Sequence, residues 1–176
     1  PFSADLLLPA GNLREPKSGA SRADFIIVTK TPRGVTEAEK NQLKKKLQAY
    51  DNQPVFFSNI VYADEIIGRE ENLLLSDFDQ FTLVTGIAQP QPLLDHLNGL
   101  HKKFRHLRFA DHHTFTRKEV AKMINQQPIL TTQKDFMRLK NFKELEEVYY
   151  LPIRFQILDD EEQFFQKLKG KLESLT

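Results

Sequence analysis

Asp111-His112-His113 sets a carboxylate beside two imidazoles and is the sharpest reactive cluster in these 176 residues. A histidine next to a carboxylate is held in one tautomer and gains basicity, which suits proton transfer or the orienting of a second acid. From the residues alone, the same triplet also fits a structural histidine with its hydrogen bonds met. It fits, too, a metal-dependent hydrolase built on Asp111 and His112, although further ligands at fixed spacing are missing. Arg14-Glu15 is a second charged pair, on a turn-rich loop. A guanidinium matches phosphate geometry and a carboxylate suits a metal and phosphate network; a plain surface ion pair is the alternative. Thr29-Lys30 closes an apolar run, where a lysine either stacks on a base or caps a strand. Thr131-Thr132-Gln133-Lys134-Asp135 follows another such run. There Lys134 and Asp135 either orient a substrate or nucleotide, or form a helix cap with an ordinary ion pair.

These residues are carried by alternating strand and helix patterns. Short apolar runs predict strands at Phe25–Thr29, Pro54–Phe57, Ile60–Ile66, Phe81–Val84, Leu107–Phe109, Pro128–Thr132, Val148–Tyr150 and Ile153–Leu158. Thr36-Glu-Ala-Glu39 and Thr116-Arg-Lys-Glu119 are capping boxes. The first opens a helix with Leu43, Leu47 and Tyr50 inward and Lys44–Lys46 outward, ended by Asp51-Asn52. The second opens a helix with Val120, Met123 and Ile124 inward. Pro92 suits a first helical turn, with Leu93, Leu94, Leu97, Leu100 and Phe104 as the buried stripe. His96, His101 and His106 then fall on or beside that helix. The last helix starts near Asp159 or Asp160, with Phe164, Phe165, Leu168, Leu172 and Leu175 inward and Lys167, Lys169 and Lys171 outward. Gly68–Gln80 reads as a loop or weak hairpin. The alternation predicts an α/β fold, a mostly parallel sheet with helices on both faces. Ligands of such sheets bind beyond the carboxyl ends of the strands. Thr29-Lys30, Gly86, Asp111-His112 and Thr131–Asp135 all fall at such ends.

Composition narrows the classes. Lys+Arg total 25 against Asp+Glu 24, so net charge points to no nucleic-acid partner. There is no cysteine, hence no disulfide framework and no thiolate metal site. No apolar run approaches the ~20 residues of a spanning helix. A Gly-x-x-x-x-Gly-Lys-Ser/Thr phosphate loop is absent, so the chain alone does not grip the β- and γ-phosphates of ATP in that manner. The chain opens at Pro1 without Met, and an interior starting point is the expectation. Apolar surface is then expected around Phe2 and Leu6–Leu8.

Leu8-Pro-Ala-Gly-Asn-Leu-Arg-Glu-Pro16, Val28-Thr-Lys30, Gly86-Ile-Ala-Gln-Pro90, Asp111-His-His-Thr-Phe115 and Thr131-Thr-Gln-Lys-Asp135, in this order, resemble the tetraacyldisaccharide 4'-kinases. The resemblance implies the C-terminal portion of such an enzyme, Rossmann-like, with the phosphate loop, further metal-binding carboxylates and a membrane-proximal helix upstream. Residues 1–24 would then be a loop segment of the kinase core, and 25–176 the Rossmann-like C-terminal domain. The implied reaction transfers the γ-phosphoryl group of ATP, with Mg2+, to the 4'-hydroxyl of tetraacyldisaccharide 1-phosphate, giving lipid IVA. Its implied place is the cytoplasmic face of the bacterial inner membrane, reached through the upstream half. Carried over by residue, Glu15 joins the catalytic metal network and Arg14 binds phosphate. Lys30 contacts the nucleotide, and His112 pairs with a catalytic aspartate of the upstream half. Lys134 and Asp135 support substrate or phosphate, and His113 supports the loop. The implied portion alone is expected to be inactive. The alternative class is a stand-alone nucleotide- or sugar-phosphate-binding α/β module without catalysis.

Overall fold

A computed structural model describes residues 5–8, 10–32, 34–48, 53–158 and 160–174. Phe2, Pro9, Tyr50, Asp51, Asn52, Asp159 and Leu175, named above, lie outside the described residues. The chain divides into two compact units, residues 1–61 with 155–176, and residues 62–154.

In the first unit, β1 (Ile26–Val28) pairs in parallel with β2 (Val55–Tyr62) through α1 (Glu37–Gln48). The capping box is formed: Thr36 N–H donates to Glu39 Oε2 at 2.8 Å and Glu39 N–H to Thr36 Oγ1 at 3.2 Å. Leu47, Val55 and Phe57 make the core, with Ile26, Val28 and Leu43 packed on it. Lys44 departs from the expected outward face. Its Nζ sits 5.5 Å from the Phe57 ring centroid, a cation–π contact that lets its stem cover the core edge. The predicted break between two strands near Ser58-Asn59 is absent. β2 runs through both residues, and they are buried, because the peptide of Ser58 accepts from Thr31 N–H at 2.9 Å and continues the ladder. β9 (Ile153–Ile157) completes a three-stranded sheet in the order β1-β2-β9. The last helix, α5 (Glu161–Glu173), starts at Asp160, whose Oδ1 accepts from Gln163 N–H at 2.9 Å. Phe164 is buried against Phe25 and Phe56, whereas Phe165 and Leu172 of the predicted stripe are exposed. Leu6, Leu7 and Leu8 are exposed as well.

The second unit holds a six-stranded sheet in the order β4-β3-β8-β7-β5-β6. Its strands are β3 (Glu65–Ile67), β4 (Asn72–Leu74), β5 (Gln80–Thr85), β6 (Lys103–Arg108), β7 (Ile129–Thr131) and β8 (Val148–Tyr150). β8, β7, β5 and β6 are mutually parallel, and the β3–β4 hairpin adds an antiparallel edge. The mostly parallel sheet is therefore as expected, and Gly68–Gln80 does contain a hairpin strand.

Side-chain alternation explains the two covered faces. Leu83, Leu130 and Tyr149 point into one core with Leu93 and Leu97 of α2 (Gln91–Gly99). Their neighbours Val84, Ile129 and Val148 point into the other, with Val120 and Met123 of α3 (Arg117–Ile124) and Phe136 and Leu139 of α4 (Gln133–Leu139). Each such side chain contributes about 1.5–3 kcal/mol when fully buried.

Phe104 and His106 belong to β6 and not to the helix or its flank. Phe104 sits opposite Phe81, the rings stacked at 5.6 Å, and α2 stops at Gly99 with Leu100 exposed. His106 Nε2 lies 2.8 Å from Thr85 Oγ1. Burial pushes the His106 imidazole below its usual range, with Arg108 adding to the effect.

Candidate functional site

Three parallel strands of the second unit deliver the polar motifs to one place. Gly86 follows β5, Asp111-His112 follows β6, and Thr132–Asp135 follow β7. Direct contacts join them. Lys134 Nζ lies 2.8 Å from Asp111 Oδ1, and Gly86 N–H donates to Asp135 Oδ2 at 2.8 Å. Asp135 is fully buried. Its Oδ2 also accepts from Thr132 Oγ1 at 2.8 Å, and Thr132 caps α4 by accepting from Asp135 N–H at 3.2 Å. Asp135 Oδ1 has no hydrogen-bond donor, but Arg138 Nη1 stands 3.5 Å away. A Cβ on residue 86 would come within 2.9 Å of that Oδ1, so glycine is what permits the close approach.

The residues around His112 differ in how they are held. Asp111 accepts from His112 N–H at 3.0 Å, and the hydrogen bond from Lys134, with help from His112, holds its carboxyl below the usual range. His112 takes a positive φ of 62° and its side chain is 74% exposed, with Nε2 3.7 Å from Asp111 Oδ2. That separation is too long for a direct hydrogen bond. His113 points inward instead. Its Nε2 is 3.1 Å from both carboxylate oxygens of Glu119, and its ring stacks on Phe109 at 4.8 Å. The support role expected of His113 thus has a geometric basis.

Glu119 carries the second capping box. The Thr116 N–H and hydroxyl, with His113, pull its carboxyl down to about 2. A depressed carboxyl stabilises the fold fully above its unfolded value, here 4.5, and the gain is lost as pH falls through about 2. The stability of wild-type protein is therefore expected to decline between those two pH values. Glu119→Gln, which removes that titration but keeps a residue suited to the capping box, is expected to flatten this part of the profile, read by urea melts across pH.

The remaining sequence candidates lie in the first unit. Arg14 and Glu15 are exposed, and Glu15 Oε2 is bound by Arg22 Nη2 at 2.6 Å. The segment before them folds on itself. Asp5 Oδ1 accepts from Leu6 N–H at 2.8 Å and Asn12 N–H at 3.1 Å, which lowers its carboxyl below the usual range. A Cβ on Gly11 would sit 2.3 Å from the Leu6 carbonyl oxygen. Gln53 Nε2 donates to the carbonyls of Ala20 and Ala23, pinning the 3-10 turn Lys17–Arg22 that carries Arg22. Lys30 is exposed, at a positive φ of 56°. Sequence reasoning missed Asp5, Arg22, Gln53 and Arg138. The Arg138–Asp135 pair, at i and i+3 on α4, was the one local signal; the contacts of Arg22, of Gln53 and of Arg138 with the His113 carbonyl have no such spacing.

Among the described residues no group of three or more His, Asp or Glu side chains could hold a metal ion. Glu15, one exposed carboxylate already paired with Arg22, does not by itself fit Mg2+. The same finding leaves the hydrolase alternative for Asp111 and His112 without a ligand set. No described helix is long and apolar enough to cross a membrane.

Comparison with known proteins identifies the family and the shared fold. The family "Tetraacyldisaccharide-1-P 4'-kinase" matches residues 1–173. The tetraacyldisaccharide 4'-kinase of Flavobacterium johnsoniae is 34% identical over 98% of this chain and 53% of its own length. That of Flavobacterium psychrophilum is 36% identical over 99% of this chain and 52% of its own length. The crystal structure of LpxK from Aquifex aeolicus in complex with ATP superposes with a TM-score of 0.62 at 23% identity, covering 94% of this chain and 48% of that one, which establishes the shared fold. The chain spans about half the length of the curated relatives it matches. A match along nearly the whole sequence, together with the α/β fold just described, places the chain in the tetraacyldisaccharide-1-P 4'-kinase family.

Proposed function

We propose that this chain is the C-terminal part of a kinase that moves the γ-phosphoryl group of ATP to the 4'-hydroxyl of tetraacyldisaccharide 1-phosphate, giving lipid IVA. The observation that carries this reading is the family match along residues 1–173, which includes the Asp111–His112 and Thr131–Asp135 segments joined by the Lys134–Asp111 contact. In this reading His112 orients, and exchanges a proton with, a catalytic aspartate supplied from outside these residues. Its exposed imidazole is free to meet such a group. Arg14, exposed and without an ion pair among the described residues, binds phosphate. Lys30 lies against the nucleotide, and Lys134 and Asp135 support the phosphate side of the site. Mg2+ accompanies ATP, and Glu15 contributes at most one carboxylate to it. Residues 1–24 belong with the kinase core, and the enzyme works at the cytoplasmic face of the inner membrane.

Phosphoryl transfer rests on in-line placement and charge neutralisation, so a chain without a phosphate loop is expected to be silent alone. The test supplies γ-labelled ATP, Mg2+ and tetraacyldisaccharide 1-phosphate to this chain and, separately, to the polypeptide translated from its whole reading frame. Label in the lipid is expected only with the longer protein. Transfer by the chain alone contradicts the half-enzyme reading, and no transfer by either contradicts the kinase reading.

A further inference from the structure

We propose that Lys134 and Arg138 form a two-point clamp that places His112, making Arg138 a positioning residue for phosphoryl transfer; this rests on the kinase reading of His112. The two cations are one turn apart on α4, so they project from one side of the helix. Each grips a residue flanking His112. Lys134 Nζ meets Asp111 Oδ1 at 2.8 Å, and Arg138 Nη1 donates to the His113 carbonyl at 3.3 Å.

His112 itself offers little to orient it. Its side chain is 74% exposed and its nearest ionic contact is the 3.7 Å approach to Asp111. Its placement therefore follows from the backbone, held at a φ of 62° in the left-handed region that few non-glycine residues occupy. Arg138 is in turn grounded in the core. Its Nη1 lies 3.5 Å from Asp135 Oδ1, and Asp135 is buried and hydrogen-bonded to Gly86 and Thr132. One guanidinium thus transmits the rigidity of the β5 and β7 ends to the loop after β6. Glu119 and Phe109 hold the His113 ring but not its carbonyl, so they do not replace this grip.

The test has two arms. In this chain, 1H–15N heteronuclear NOEs are compared for wild type, Arg138→Met and Arg138→Lys. Arg138→Met is expected to lower the values of residues 111–113 while those of 133–139 hold, and Arg138→Lys to restore part of the loss, since lysine keeps the charge but not the fork. In the whole-frame protein, Arg138→Met is expected to cut kcat about 10- to 100-fold with KM for ATP within about twofold, as misplacement of a reacting group does. Should Arg138→Met fail to fold, Arg138→Gln, which keeps a polar stem but not the fork, takes its place in both arms. Residues 111–113 as ordered as in wild type overturn the clamp. A loosened loop with unchanged kcat overturns its part in the reaction. If no protein in the series transfers phosphate, the kinase reading fails, while the NOE arm still decides the clamp.

Discussion

His112→Asn in the whole-frame protein is expected, on the proposed kinase reading, to lower kcat by about a hundred- to ten-thousand-fold, with KM for ATP nearly unchanged and the urea midpoint shifted little. Asparagine is the informative substitution because it tolerates the positive φ of this position, whereas alanine adds backbone strain to the loss of the imidazole. The side chain is 74% exposed, so little packing is removed with it. The magnitude is that of a positioned proton-exchanging group. Activity within about threefold of wild type would show that the exposed imidazole has no part in the chemistry and that the motif is structural.

The second large effect is on stability. Asp135→Ala is expected to cost about 2–4 kcal/mol, because it leaves the buried Gly86 N–H without an acceptor, removes the partner of the Thr132 hydroxyl and leaves Arg138 without its carboxylate. In urea that is a midpoint drop of about 1–2 M. Gly86→Ala is expected to destabilise too, since its Cβ would stand 2.9 Å from Asp135 Oδ1. The two costs should not add. Once the carboxylate is gone the new methyl has room, so Gly86→Ala is expected to be cheaper in the Asp135→Ala background. Strict additivity in that cycle would mean that the close approach is not what requires glycine.

Much of the fold was legible because its signals are local. Phe81–Val84 and Pro128–Thr132 are apolar runs bounded by turn residues. The Thr36–Glu39 and Thr116–Glu119 boxes close within a single turn of chain, and both form as written. Phe104 was misplaced for a plain reason. It lies four residues after Leu100, so helical spacing claims it, while its pairing with Phe81 depends on a strand 23 residues earlier. Ser58 and Asn59 looked like a break because polarity in a short run mimics one; ladder hydrogen bonds override it. In the site, the Asp111-His112 motif and the Thr131–Asp135 motif could each be read separately. Their junction through Lys134 could not, nor could the reach of Arg138 to the His113 carbonyl, 25 residues earlier in the chain.

The strict two-sided alternation of β5 has a consequence for how this chain can vary in length. Leu83 serves one core and Val84 the other. Adding or removing a single residue ahead of them exchanges these duties and turns Gly86 away from Asp135. Insertions are therefore tolerable in the surface turns that join the strands and helices, but within this central strand the count of residues matters to the packing of both cores as much as their identity.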